Sequence, residues 1–188
     1  MMNLAILASH NGSTLDTLHS AIANGILQNI TLSLVISNNT DAKVLLKAKK
    51  YNITAHVINA NNTPDPDKVL YTVLKNAKID IILLAGYMKK IPPAITQNFK
   101  VINSHPALLP KFGGKGMYGR HVHEAVIAAN ESLSGVTVHE VNENYDEGRI
   151  ILQKSLKIAK DETAESLEKR IKELEKIAVI EGLQQCLK

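Results

Sequence analysis

Residues 3–27, NLAILASHNGSTLDTLHSAIANGIL, are the most informative stretch of the sequence for the fold class. An unbroken apolar run comes first, in NLAILAS (3–9), and the short polar turn HNGS (10–13) follows it. Such a run is typical of a strand that is covered on both faces, as in parallel sheets. From residue 14 to residue 27 the apolar residues recur at helical spacing. The segment therefore predicts a buried strand, a turn and a helix.

The same alternation continues along the chain. It predicts an α/β protein: a doubly wound, mostly parallel sheet with helices on both faces. No repeat or Gly/Ser-rich linker divides the chain, so we expect a single domain over residues 1–188. The further strands are predicted at 31–37, 78–86, 101–104, 135–141 and 149–156, and the further helices at 41–51, 67–77 and about 163–186.

Composition narrows the class of protein. The chain has 188 residues, 45% of them hydrophobic, which suits one sizeable domain. Its single cysteine, Cys186, cannot form an internal disulfide, so we expect a cytoplasmic protein. We see no signal peptide, and no apolar run approaches the roughly 18 residues of a membrane span. A net charge of +4 with few aromatic residues supports a nucleic-acid surface only weakly, and a small anionic ligand suits this charge equally well. We expect neither nucleic acid nor a membrane as a partner.

The turn after the first strand is a candidate phosphate site. Gly12 allows a ligand to approach the backbone, and Ser13 is predicted to cap the helix, with Asp16 completing an imperfect capping box. Free N–H groups at the start of a helix bind phosphate readily. The spacing matches neither GxGxxG nor a Walker loop, so it does not indicate a dinucleotide or a nucleoside triphosphate. An ordinary capped turn is the alternative.

Residues 101–110, VINSHPALLP, end a buried strand in polar side chains. In an extended chain Asn103 and His105 share one face, and Ser104 points to the other. Pro106 favours an extended backbone at His105. Ligands of open α/β sheets bind beyond the carboxyl ends of strands, where an imidazole can transfer a proton and a carboxamide can stabilise an oxyanion. The alternative is that both side chains fasten a loop.

Two later loops are also candidates for the site. The glycine-rich stretch 106–119 has the length of a binding loop. His121 and His123 follow it, but no third ligand stands at matching spacing, so no metal is expected. In the loop 142–153, Asp146 or Glu147 is placed to face the histidine and raise its pKa, unless this is simply a solvated acidic turn.

Five motifs in order resemble the glycinamide ribonucleotide formyltransferase family of purine biosynthesis, over nearly the whole chain. The resemblance implies a Rossmann-like formyltransferase fold and a small-molecule reaction. Asn-x-His-Pro-x-Leu-Leu-Pro followed by Asp-x-Gly is the most specific part. The motifs are NGSTL (11–15), LLAGYMKKI (83–91), INSHPALLPKFGG (102–114), GVTVH (135–139) and DEGRIILQ (146–153).

The resemblance also implies a mechanism. The amine of glycinamide ribonucleotide would attack the formyl carbon of the co-substrate 10-formyltetrahydrofolate, without a metal. His105 would be the acid, Asn103 would donate to the oxyanion, and Asp146 would orient His105 and raise its pKa. The implied phosphate and ribose contacts are Gly12, Ser13, Thr14, Lys172 and Glu175. The implied folate contacts are Met88, Lys89, Lys90, Ile91, Val141, Asn142, Glu143, Asn144 and Tyr145.

Departures from the family pattern leave alternatives open. The arginine that often meets the folate tail is missing, since no arginine precedes Arg120, and Lys68 is a possible substitute. Formyltetrahydrofolate deformylase, a hydrolase, uses the same histidine and asparagine but usually has a second histidine at the position of Pro106. Methionyl-tRNA formyltransferase usually has glycine there. A non-catalytic folate- or nucleotide-binding module is the remaining alternative.

Overall fold

The computed structural model describes residues 1–187, and seven strands and six helices lie within that range. The strands are β1 (Met2–Leu7), β2 (Ile30–Ser37), β3 (Thr54–Val57), β4 (Ile81–Leu84), β5 (Lys100–His105), β6 (Leu133–Glu140) and β7 (Ile150–Lys157). The helices are α1 (Ser13–Ala23), α2 (Lys43–Lys50), α3 (Pro66–Asn76), α4 (Pro93–Thr96), α5 (Arg120–Ala128) and α6 (Ala164–Cys186).

The strands form one sheet in the order β3-β2-β1-β4-β5-β6-β7. Strand β1 pairs in parallel with β2 and β4, and β2 pairs in parallel with β3. At the other edge of the sheet, β7 runs antiparallel to β6. The predicted fold class, a mostly parallel α/β sheet, is confirmed.

Contacts divide the chain into two compact units, Met1–Ile102 and a second unit that begins at Asn103. In the first unit, β1 and β4 are buried throughout their centres, with Leu4–Leu7 and Ile81–Leu84 at 7% exposure or less. This explains why their sequences are continuously apolar rather than alternating. The organisation as a single domain stays a prediction.

The core of the second unit lies between β6 and helices α5 and α6. Val136 and Val138 of β6 cluster with Val126 of α5 and with the apolar stripe of α6, at Leu167, Ile171 and Ala178. The spacing of that stripe is the helical period seen in the sequence. The packing fixes α6 against the strand that carries part of the candidate site.

The start of α1 differs from the sequence prediction. Gly12 is the N-cap residue, in the left-handed conformation with φ 64°, and no side chain caps the helix, so the predicted Ser13 cap is wrong. Asp16 instead accepts hydrogen bonds from Lys47 at 2.5 Å and from Tyr51 at 2.8 Å. These two partners from outside α1 outcompete the local capping box.

Two short elements escaped the sequence prediction, and one helix is shorter than expected. Strand β3 is largely exposed and α4 spans only four residues, so neither has a clear hydrophobic period. Helix α1 ends at Ala23 rather than at the predicted Leu27. Gly25, two residues after this end, has a positive φ of 71°, which is not helical. Within residues 1–187 no helix has the length and apolar character needed to cross a bilayer.

Candidate active site

Strand β5 delivers alternate side chains to two different places. Asn103 and His105 join a group that includes His139 and Asp146, whereas the Ser104 hydroxyl bonds to the Glu175 carboxylate. This is the two-residue alternation expected of an extended chain. The structure therefore brings Asn103, His105 and Asp146 together, as the sequence pattern predicts.

His105 lies between two hydrogen-bond acceptors. Its Nε2 is 2.7 Å from the carbonyl oxygen of Phe112, and its Nδ1 is 3.5 Å from Oδ2 of Asp146. Because a carbonyl only accepts, Nε2 must carry a proton and donate it. The ring is 3% exposed, and its burial lowers the pKa of His105. Asp146 and the Phe112 carbonyl raise this pKa, but they do not offset the burial.

Asp146 belongs to the loop between β6 and β7 and has a positive φ of 58°. Its Oδ2 accepts the backbone N–H of Gly114 at 2.9 Å. Burial acts to raise the pKa of Asp146, but the neighbouring imidazoles of His139 and His105 and the Gly114 N–H together lower it. The carboxylate is therefore ionised at neutral pH. Glu147, the alternative in the sequence, is exposed and bonds to Asn144 at 2.9 Å instead.

His139 is a site residue that the sequence reasoning missed. Its Nδ1 lies 2.8 Å from the Glu140 carbonyl oxygen and donates to it, which leaves Nε2 to accept from the Asn103 amide at 3.2 Å. The same nitrogen is 3.5 Å from Oδ1 of Asp146. His139 therefore fixes which way the Asn103 amide faces. The sequence feature that could have indicated it is a polar residue at a buried position of β6, on the same face of the strand as Thr137.

The loop that follows β5 is fastened at its start. The buried Thr137 hydroxyl donates to the Ala107 carbonyl at 2.7 Å and accepts from the Leu109 N–H at 3.0 Å. Gln153 donates to the Leu109 carbonyl at 3.0 Å. These bonds position the chain so that the Phe112 carbonyl reaches His105.

The candidate phosphate loop lies in the first unit. At Gly12 the φ is positive, and a Cβ added there would collide with the side chain of Val44. Ser13 and Thr14 are the first two residues of α1, so their N–H groups have no partner within the helix. Position 12 therefore requires glycine, because of both its positive φ and the lack of room for a Cβ. The N–H groups of Ser13 and Thr14 then stand as two donors at the positive end of the helix.

The candidate folate stretch follows β4. The Met88 N–H donates to the buried Ser9 hydroxyl at 2.8 Å, and this hydroxyl donates to Oδ1 of Asn38 at 2.5 Å. Met88 itself is 41% exposed, and Ile91 is buried. Burial raises the pKa of the neighbouring Tyr87, and the charge of Asp67 adds to this effect. The Ser9 hydroxyl therefore fixes the backbone of this stretch at Met88. The side chains of Met88, Lys89 and Lys90 are exposed.

The remaining predicted binding residues fall into two groups. In the loop after β6, Asn142 accepts the Asn144 N–H at 2.9 Å, and the predicted folate contacts from Asn142 to Tyr145 are exposed. On α6, Lys172 bonds to Glu168 at 2.5 Å rather than to Glu175. Burial raises the pKa of Glu175, and this is opposed by the Ser104 bond and the charge of Lys172.

Among residues 1–187 no three or more His, Cys, Asp or Glu side chains are grouped in a way that could hold a metal ion. His121 lies 3.4 Å from Glu124, and His123 is buried with its Nδ1 unpaired in the described chain. These two histidines therefore lie in different surroundings, one exposed and one buried.

A histidine and an asparagine at the end of β5 and a carboxylate from a later loop lie together on a mostly parallel sheet, which is the arrangement expected of a formyl transferase. The family model described as formyl transferase matches residues 2–183, and the chain belongs to this family. The predicted resemblance is thereby confirmed.

The similar proteins are phosphoribosylglycinamide formyltransferases. The Haemophilus influenzae enzyme is 37% identical over 180 residues, which are 93% of this chain and 82% of that protein. The chloroplastic enzyme of Arabidopsis thaliana is 37% identical over 174 residues, but the match spans only 59% of its length. The crystal structure of glycinamide ribonucleotide transformylase 1 from Geobacillus kaustophilus is 32% identical, with a TM-score of 0.91 and 100% of both chains covered.

Proposed function

We propose that this chain transfers the formyl group of 10-formyltetrahydrofolate to the amine of glycinamide ribonucleotide, in purine biosynthesis. The observation that carries the proposal is the linked group of Asn103, His139, Asp146 and His105 at the end of β5. The names of its relatives, phosphoribosylglycinamide formyltransferase, indicate the acceptor, and the family resemblance indicates the formyl folate. A cytoplasmic location belongs to the same proposal.

The reaction is a direct acyl transfer. The amine nitrogen attacks the formyl carbon, and the carbonyl electron pair moves onto oxygen to give a tetrahedral intermediate. When this intermediate collapses, the bond from carbon to N10 of the folate breaks, and a proton that the amine loses is finally carried by N10. The intermediate is formed directly between the two substrates, so the protein supplies hydrogen-bond donors and a proton path.

Asn103 and His105 are suited to stabilise the oxyanion. The His139 bond uses one N–H of the Asn103 amide, and the second N–H remains to donate to the developing charge. With its pKa lowered by burial, His105 is largely neutral at pH 7 and donates through Nε2–H. In the structure this hydrogen goes to the Phe112 carbonyl, so substrate would have to take that carbonyl's place as acceptor.

The binding contacts of the proposal are those implied by the family. Gly12, Ser13 and Thr14 would hold the phosphate through backbone N–H groups. Met88 to Ile91 and the loop from Val141 to Tyr145 would hold the folate. Lys68 is exposed on α3 and is the candidate to replace the missing arginine at the folate tail.

The test is turnover of 10-formyltetrahydrofolate, followed by absorbance, with and without glycinamide ribonucleotide. We expect turnover only when the ribonucleotide is present. Equal turnover without it would instead identify a deformylase, and no turnover in either case, with both ligands bound, would identify a binding module. Ribose 5-phosphate, which has the phosphate and sugar but lacks the amine, is the matched control and should not support turnover.

Replacing Asp146 with asparagine should slow transfer by roughly 10- to 100-fold and move the acid limb of the pH–rate profile to lower pH. The carboxylate raises the pKa of His105, so its removal lets that pKa fall further. Because neutral His105 is the active form, the variant should stay in that form to a lower pH. The measurement is kcat from pH 4 to pH 9. The Glu147→Gln variant is the control, and an unchanged acid limb in Asp146→Asn would remove Asp146 from the mechanism.

A further inference from the structure

We propose that Ser104 is a positioning residue for ribonucleotide binding: its hydroxyl orients the Glu175 carboxylate so that the second carboxylate oxygen accepts hydrogen bonds from the ribose hydroxyls. This inference rests on the proposed function and deepens it. Nothing in the family resemblance assigns a role to Ser104.

The position of Ser104 calls for an explanation. It is 7% exposed, and Val101 and Ile102 on the same strand are buried and apolar. A buried hydroxyl is unfavourable unless it is hydrogen-bonded, and an apolar side chain would suit this strand better. The hydroxyl donates to Oε1 of Glu175, which lies 71 positions later on α6. We therefore interpret the Ser104 hydroxyl as a donor that positions the Glu175 carboxylate.

The position of Glu175 is equally unusual. It lies on the side of α6 where Ile171, Ala178 and Val179 are buried, so the helix turns a carboxyl group toward the interior. Glu175 is itself partly exposed, and burial raises the pKa of its carboxyl. Within the described chain its Oε1 bonds to Ser104, and its Oε2 has no hydrogen-bond partner.

A partly buried carboxylate with one oxygen already bonded is suited to a ligand that brings hydroxyl donors. The vicinal hydroxyls of a ribose can both donate to one carboxylate oxygen or bridge the pair. Lys172, one turn earlier on α6, contributes a positive charge that acts on Glu175, although its ammonium is bonded to Glu168. If the Ser104 bond holds the carboxylate, then less rotamer freedom is lost when the ribose binds.

The experiment is steady-state kinetics of the full chain, with each substrate varied while the other is saturating. Ser104→Ala should raise KM for glycinamide ribonucleotide about tenfold, with kcat within about twofold and KM for the folate unchanged. Glu175→Ala should raise the same KM further, and the double variant should match Glu175→Ala alone. Ser104→Thr keeps the hydroxyl and should restore most of the affinity.

Ser166→Ala is the matched control, because the Ser166 hydroxyl also donates to a glutamate carboxylate, Glu162, at 3.1 Å near the start of α6. It should leave both KM values unchanged. An unchanged KM in Ser104→Ala, even with a lowered melting temperature, would reduce Ser104 to a structural role and overturn the inference while the proposed function stands. Additive effects in the double variant would overturn it in the same way. A wild-type chain without transferase activity would overturn both.

Discussion

Replacing His105 with alanine is expected to lower the rate of formyl transfer by about 10³- to 10⁴-fold, which corresponds to about 4–5.5 kcal/mol of lost transition-state stabilisation. His105 donates its Nε2–H to the Phe112 carbonyl, and Asp146 lies 3.5 Å from its Nδ1, so the alanine variant loses this positioned donor altogether. KM for both substrates should change little, because the donor acts on the charge that develops in the transition state.

Two controls separate this effect from misfolding. His121→Ala removes an exposed histidine from the start of α5 and should leave the rate unchanged. His105→Gln keeps an N–H donor near the position of Nε2 and should recover part of the rate. The melting temperature of each variant should be recorded in parallel. A His105→Ala protein that transfers formyl at the wild-type rate would refute the role of this histidine.

Replacing Asn103 with alanine should lower kcat by about 10²- to 10³-fold, the usual effect of removing one oxyanion donor. Asn103→Asp is the sharper comparison, because it keeps the shape but places a negative charge where the oxyanion forms, and it should be slower still. The measurement is kcat at saturating concentrations of both substrates.

His139 provides a further check on the same donor. Because its Nε2 accepts from the Asn103 amide, His139→Ala should lose part of the rate only when Asn103 is present. If His139→Ala reduced the rate of the Asn103→Ala protein by the same factor as it reduces wild type, then the two residues would act independently.

The architecture and the main site residues were accessible from the sequence because they depend on local patterns. Continuous apolar runs indicated β1, β2 and β4, and the alternation of Asn103, Ser104 and His105 indicated which side chains meet. The choice of Asp146 over Glu147 followed from the family resemblance, and the structure places Asp146 beside His105.

What the sequence could not supply are contacts between distant positions. The role of Asp16 depends on Lys47, and the direction of the His105 pKa depends on how deeply the ring is buried. The Ser104–Glu175 bond joins residues 71 positions apart. His139 was visible only as part of a motif, since nothing in its neighbours reveals that its ring meets Asn103.

Formyl transfer is tested most directly by following the formyl carbon itself. A single turnover of ¹³C-formyl-labelled 10-formyltetrahydrofolate with glycinamide ribonucleotide, analysed by mass spectrometry, should place the label in N-formylglycinamide ribonucleotide. The His105→Ala variant should leave the label on the folate over the same time. Label recovered as formate, with the ribonucleotide unchanged, would contradict the proposed transfer and identify hydrolysis instead.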